Sequence, residues 1–317
     1  MKIIDIDDRI KLIDLFDLKE IARTGSFILL EDEITVIETS ASPSIPYLKA
    51  GLETLNIKLE EIKYIILTHI HLDHGGGVGL FLKECPNAKI IVHPKGARHL
   101  IDPSRLENGA REVYKEQFDS LFHPIIPISE ERIIIKNNGD TLKIGSNTIL
   151  SFYHTPGHAN HHFSIYDPVS NGIFTGDTAG IYYWMLKDEN IDFFLPSTSP
   201  NQFNPDAMIQ SINFFRKKSL NRLYFGHFGF THKVGLAIDT VEKWLKLFVE
   251  YSKKAYLSCN SNDQRIEMTY NYLYQTVFNH LSSQGVPNNH SIYQVLKLDL
   301  NVSSMGLIDY WNKKYTI

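Results

Sequence analysis

Thr68-His69-Ile70-His71-Leu72-Asp73-His74 is the stretch from which the rest of the chain is read. Four of its seven residues carry side chains that bind divalent metals. The segment before it, Ile62-Lys63-Tyr64-Ile65-Ile66-Leu67, is a short apolar run with β-branched residues, which predicts a buried strand. The segment after it, Gly75-Gly76-Gly77-Val78-Gly79, turns easily and lets backbone approach a neighbour closely. The predicted order is strand, ligand-bearing loop, then a helix from near Val78 to about Glu84. In extended backbone His69 and His71 project to the same side and can share one metal, and Asp73 continues that alternation. His74 points elsewhere and suits a second, neighbouring ion. Imidazole and carboxylate without thiolate fit zinc and also accommodate manganese, iron, cobalt or nickel. Neither cysteine, Cys85 or Cys259, lies within the motif.

The 317 residues suffice for one catalytic domain and a smaller appendage. A formal net charge of -4, from 32 Lys+Arg against 36 Asp+Glu, supplies no basic field, so no nucleic-acid or membrane partner is expected. No apolar run reaches bilayer length. The N-terminal stretch turns acidic at Asp5 and Asp7, too early for a secretory signal. Two cysteines make no disulfide framework, and the cytoplasm is the expected compartment.

Outward from the motif, strand-like runs at Phe27–Leu30 and Ile34–Ile37 flank Glu31-Asp32-Glu33, a hairpin turn. A helix is predicted from Ser44 to about Leu55, with Pro46 in its first turn. A strand follows at Lys89–Val92, then helices over Pro94–Leu100 and Arg105–Phe122. Ile133–Ile135 and Thr141–Ile144 are strands around the turn Asn137-Asn138-Gly139-Asp140. The strand Asn147–Tyr153 leads to Thr155-Pro156-Gly157-His158. Phe163–Tyr166 and Gly172–Thr175 form a hairpin that ends at Gly176-Asp177. Met208–Lys218 is a helix, and Arg222–Phe225 a strand ending at Gly226-His227. From Val234 the pattern is helical, with breaks at Asn260–Asp263 and Gly285–Asn289. Tyr270, Tyr272, Tyr274 and Phe278 are expected in the core there. Residues 1–233 are therefore taken as the catalytic domain and 234–317 as a helical extension.

His158, Asp177 and His227 each follow a predicted strand, where a layered α/β sandwich gathers an active site along one sheet edge. With the loop they make five histidines and two aspartates, enough for two ions with open positions. In this order the residues resemble the mark of the metallo-β-lactamase superfamily: His-x-His-x-Asp-His, then a His, an Asp and a His at wide intervals. The resemblance covers roughly residues 25 to 230. It implies an α+β fold, the four-layer αβ/βα sandwich, here followed by C-terminal helices. It further implies that His69, His71 and His158 hold one metal, that Asp73, His74 and His227 hold another, and that Asp177 bridges them. Where relatives often have Asp-Thr-Gly this chain has Glu38-Thr39-Ser40, so Glu38 is the candidate to support a ligand from behind.

A water bridging two divalent ions loses its proton near neutral pH, which supplies a hydroxide nucleophile, and Asp73 can orient it and carry the proton onward. The expected activity is dinuclear, metal-dependent hydrolysis of a small-molecule ester, thioester or lactone, with two divalent ions, zinc foremost. Asp177 stands where the family's zinc β-lactamases commonly have cysteine, which points to the glyoxalase II-like and lactonase-like branch. A phosphodiesterase or nuclease, or a non-catalytic metal-binding effector, is the alternative. Tyr182 and Tyr183, soon after Asp177, and His161 and His162, soon after His158, are candidate substrate contacts. The stretch Pro196-Ser197-Thr198-Ser199-Pro200, with Phe203, Pro205, Phe228 and Phe230, is a candidate apolar entrance. A homodimer is left open as an assembly.

Overall fold

β-Branched runs set between polar turns become strands because their stiff side chains pack well on a pleated surface. In the computed structural model, which describes residues 2–315, one sheet takes strands in sequence order. They are β1 (Ile3–Asp5), β2 (Ile10–Asp14), β3 (Gly25–Leu29), β4 (Ile34–Ile37), β5 (Ile62–Ile66), β6 (Lys89–Val92) and β7 (Ile133–Ile135). The first four are antiparallel neighbours, and the expected hairpin pairs Phe27 with Ile37. From β4 to β7 the pairing is parallel. Parallel neighbours need crossovers. These are α1 (Ile45–Thr54), then α2 (Leu72–Gly75) and α3 (Val78–Leu82), then α4 (Pro94–Ile101), α5 (Ser104–Tyr114) and α6 (Phe118–Phe122). The single helix expected over Arg105–Phe122 is broken at Lys115, whose φ of 48° ends α5.

A second sheet contains β8 (Thr141–Lys143), β9 (Ile149–His154), β10 (Phe163–Asp167) and β11 (Gly172–Phe174). After a separate two-stranded ladder of β12 (Ile181–Tyr182) and β13 (Phe194–Leu195) and helix α7 (Pro205–Lys217), β14 (Arg222–Tyr224) and β15 (Phe230–Thr231) return to it. Its order is β15-β14-β11-β10-β9-β8. The turn at Asn137–Asp140 therefore carries the chain from one sheet to the other instead of closing a hairpin. The last elements are α8 (Val234–Ser258), α9 (Asn262–Ser283) and α10 (Ile292–Tyr315). No helix among the described residues is long and apolar enough to cross a membrane.

The described residues form two compact units. One comprises residues 2–155, 161–176 and 220–232, and holds both large sheets; the other comprises 156–160, 177–219 and 233–315. Met1, Thr316 and Ile317, at the ends of the expected domain ranges, lie outside the described residues. In the first unit the strand period of two sends Phe27 toward the second sheet and Ile28 toward the helices. The Phe27 ring meets Phe174 and Tyr224 edge-on at 5.1 and 5.5 Å. Ile28 instead joins Leu48, Leu52 and Phe81 in the core beneath α1 and α3. Gly79 has a local cause as well: a Cβ there would overlap the Ile126 carbonyl.

In the second unit the spacing of Val241, Leu245, Phe248 and Val249 predicts one apolar face of α8; the first three are buried and Val249 is half-buried. The aromatic expectation for α9 fails. Its buried stripe is Thr269, Leu273, Val277 and Leu281, and Tyr270, Tyr274 and Phe278 stack as a half-buried row beside it. Tyr272 is 41% exposed. Large rings spaced four apart cover one another along a helix without entering the core.

His93 gives a pH prediction. It is buried, caps α4 by accepting the Lys95 N–H at Nδ1 (3.1 Å), and lies 4.5 Å from the His154 ring. Burial first, then the charges of His154 and Lys95, push its imidazole down to about 4. The folded protein thus keeps His93 neutral where the unfolded chain would take a proton. This contribution is complete above about pH 6.5 and is lost as the pH falls toward 4. H93N retains a capping oxygen and should lose roughly 2–3 kcal/mol less stability than wild type between pH 7 and 4.5 in urea unfolding. Equal losses in the two proteins would show that His93 carries none of the acid sensitivity.

Candidate metal centre

β5 ends at Ile66; the Leu67 N–H still donates to the Ile91 carbonyl of β6 (3.1 Å), and from Thr68 on the chain takes other partners. The Thr68 N–H donates to Glu38 Oε1 (2.7 Å), and its carbonyl accepts from Phe163 N–H (2.9 Å). His69 and His71 follow with their rings 4.7 Å apart, as two-residue spacing allows. The alternation then stops. His71, at φ −59° and ψ 150°, is the N-cap of α2, and its carbonyl accepts from the amides of His74 and Gly75. The expected continuation of the strand pattern to Asp73 is therefore corrected, because Asp73 and His74 sit on a helical turn.

That turn brings Asp73 Oδ2 to 3.8 Å from His74 Nε2 and 3.6 Å from His227 Nε2. A ligand atom from each of the three lies within 4.8 Å of the others. His227 arrives from β14 on a tight turn in which Phe228 and Gly229 have φ of 77° and 85°, closed by Phe225 N–H to the Gly229 carbonyl (3.0 Å). Glu38, 1% exposed, holds His74 from behind: its Oε2 is 3.0 Å from His74 Nδ1. With its other oxygen on Thr68, the longer side chain serves two partners at once.

The first unit also gathers His161 and His162 beside the loop. The His161 ring lies 5.3 Å from His71, edge-on, and 6.2 Å from His69, nearly parallel. His162 is 5.1 Å from His69, with Nδ1 3.1 Å from Thr155 Oγ1. Gly176, at φ 48°, makes room for this packing, since a Cβ would collide with His162 Nε2 and Thr68 Oγ1.

In the second unit His158 Nε2 lies 3.6 Å from Asp177 Oδ2. His158 donates its Nδ1–H to the Ser197 carbonyl (3.1 Å), and the Ser197 hydroxyl donates to Asp177 Oδ2 (3.1 Å). The candidate contacts Tyr182 and Tyr183 are buried here with their hydroxyls engaged. Tyr182 donates to Asp192, which also takes Lys233 Nζ at 2.7 Å, and Tyr183 donates to Asp299 Oδ2 (3.1 Å). Burial, then Asp192, raises the Tyr182 phenol far above its ordinary value. Either tyrosine would have to exchange a carboxylate partner to serve a substrate oxyanion. Ser197 lies within the candidate entrance stretch Pro196–Pro200. No local pattern marks its role, because its partners are 39 and 20 residues away.

The donor chemistry fits divalent metal. His69 Nδ1 lies 3.1 Å from Thr68 Oγ1, and the Nδ1 atoms of His74 and His158 likewise face protein oxygens. The Glu38 carboxylate and the Ser197 carbonyl can only accept, so these two bonds select the tautomers of His74 and His158 that present Nε2 as a ligand. The 3.6–3.8 Å donor separations exceed hydrogen-bonding range. They suit two ligands that close slightly on one tetrahedral ion at about 2.0–2.1 Å. Thiolate plays no part at Cys85: burial, then Glu84, pushes its thiol up to about 12.

The model of the metallo-beta-lactamase superfamily matches residues 23–227, a span that contains all seven candidate ligands. The metallo-beta-lactamase fold-containing protein ST1585 of Sulfurisphaera tokodaii is 29% identical over 130 residues, covering 39% of this chain and 48% of that protein. A hydroxyacylglutathione hydrolase of Legionella pneumophila (strain Paris) is 30% identical over 119 residues, 37% of this chain and 34% of the enzyme. The N-acyl homoserine lactonase AttM of Rhizobium radiobacter is 26% identical over 151 residues, 46% of this chain and 52% of the lactonase. The chain thus spans about half the length, or less, of these curated relatives. The solved structure of ST1585 from Sulfolobus tokodaii has a TM-score of 0.66 at 18% identity, covers 94% of this chain and 98% of that one, and has the same fold. The α+β sandwich with helices at its C-terminal end, the ordered ligand motif and the family match together make this chain a member of the metallo-beta-lactamase superfamily.

Proposed function

We propose that this protein is a metal-dependent hydrolase of a small-molecule ester, thioester or lactone. The observation that carries the reading is the convergence of Asp73, His74 and His227, with Glu38 locked behind His74. In this reading Asp73, His74 and His227 hold one divalent ion, His69, His71 and His158 hold another, and Asp177 is shared. Zinc is the first choice for both. Bound ions of this kind acidify water and polarise a carbonyl. The chain's own residues do the rest. His74 and His227 are 0% and 5% exposed at their side chains, whereas Asp73 is 26% exposed. Asp73 is thus the ligand from which a proton can pass to a leaving group. His161 and His162, beside His69 and His71, are assigned to substrate positioning. The names of two relatives, a hydroxyacylglutathione hydrolase and an N-acyl homoserine lactonase, support an acyl substrate, and the net charge of -4 argues against a nucleic-acid one.

The test begins with elemental mass spectrometry of protein purified without added metal. About two zinc, manganese or iron ions per chain are expected, with loss of metal in Asp177→Ala. Screening then sets thioesters and lactones against a phosphodiester. Turnover of the phosphodiester alone would replace the acyl reading by the phosphodiesterase one. Protein that is folded and refuses zinc would overturn both.

A further inference from the structure

The second unit carries a line of contacts from its last helix to two of the proposed ligands. Ser197, 6% exposed, touches both: its carbonyl accepts from His158 Nδ1 and its hydroxyl donates to Asp177, each at 3.1 Å. Its neighbour Thr198 is buried and donates to the Ser303 carbonyl of α10 (3.0 Å). Gly306, further along α10, receives the Thr198 carbonyl so closely that any Cβ would overlap it and the Ser199–Pro200 linkage. Lys313 Nζ donates to the Asn201 carbonyl, and Asp299 accepts from Tyr183. Asp299, Ser303, Gly306 and Lys313 are spaced four, three and seven apart. They therefore share one face of α10, and that face holds the segment around Ser197.

We propose that Ser197 is a positioning residue of the metal centre and that helix α10 keeps it in place. The proposal rests on the reading of His158 and Asp177 as ligands. The Ser197 carbonyl holds the proton of His158 at Nδ1, so Nε2 keeps its lone pair for a metal. The Ser197 hydroxyl sets the rotation of the Asp177 carboxylate. The C-terminal helix thereby contributes to metal affinity itself. A ligand bond of this outer kind changes affinity by about 10–100-fold when removed.

The test uses the full chain and reads zinc affinity by competition with a chromophoric chelator, alongside thermal unfolding of the metal-free protein. S197A and G306A should each weaken zinc binding about 10-fold or more. T198V, which removes the bond to Ser303 without changing volume, should weaken it several-fold, and S197T should restore most of what S197A loses. Lower metal-free stability with unchanged zinc affinity in S197A and T198V would overturn the proposal, and these two variants decide the matter if G306A does not fold. Asp177→Ala separates the two levels. If it loses zinc while S197A keeps it, the positioning role fails alone. If Asp177→Ala also keeps zinc, the ligand reading fails and takes the proposal with it.

Discussion

Asp73→Ala is expected to lower kcat for hydrolysis of a thioester or lactone by about 100- to 10,000-fold, the usual effect of removing a positioned proton carrier. The physical case is the contrast within its cluster. His74 and His227 are sealed, and their Nε2 atoms lie 3.8 and 3.6 Å from the Asp73 carboxylate. Asp73 alone of the three retains substantial exposure, so it can both face an ion and meet a leaving group. Asp73→Asn keeps an oxygen donor and removes the basicity. It should therefore retain more metal than Asp73→Ala while losing comparable activity. Steady-state kinetics on metal-replete protein, with metal content measured on the same samples, checks this. An Asn variant with kcat within a few-fold of wild type would remove Asp73 from the proton path and leave it as a ligand only.

Glu38→Ala should produce the other large effect. The carboxylate is buried and accepts from the Thr68 amide and from His74 Nδ1. Alanine would leave a backbone N–H and an imidazole N–H buried without their acceptor, each costing about 1–3 kcal/mol. A stability loss of roughly 3 kcal/mol is therefore expected, together with zinc affinity weakened about 10–100-fold. Glu38→Gln separates the two parts. Its amide oxygen can still accept from Thr68, but its NH2 faces His74 and opposes the tautomer that presents Nε2. It should lose zinc affinity with much less loss of stability. Urea unfolding and chelator competition measure the two quantities. If Glu38→Gln binds zinc as wild type does, the link from Glu38 through His74 to metal is refuted.

Glu38 also shows where reading by residue type reaches its limit. The departure from the family's aspartate is visible in the sequence, but whether the longer side chain still reaches depends on backbone. Glu38 has φ 69°, and from that backbone its carboxylate places one oxygen on each partner. The Asp73 geometry shows the converse. The expected alternation brings the His69 and His71 rings together, 4.7 Å apart, and it fails one step later because His71 begins a helical turn. Nothing in Leu72-Asp73-His74 read locally announces that turn.

By itself the sequence determined the candidate ligand set, most of the order of strands and helices around it and the family. Metal-binding side chains at strand ends and β-branched runs between turns are local patterns, and local patterns survive in one dimension. Only the tertiary structure decided that β7 and β8 belong to different sheets, that Tyr182 and Tyr183 spend their hydroxyls on Asp192 and Asp299, and that the α9 aromatics line a flank. It also decided that Ser197 ties His158 to Asp177 under the grip of α10. These pairings join residues from 10 to more than 100 positions apart. Such bonds form because buried polar groups need partners, and which partners are within reach depends on how the elements pack.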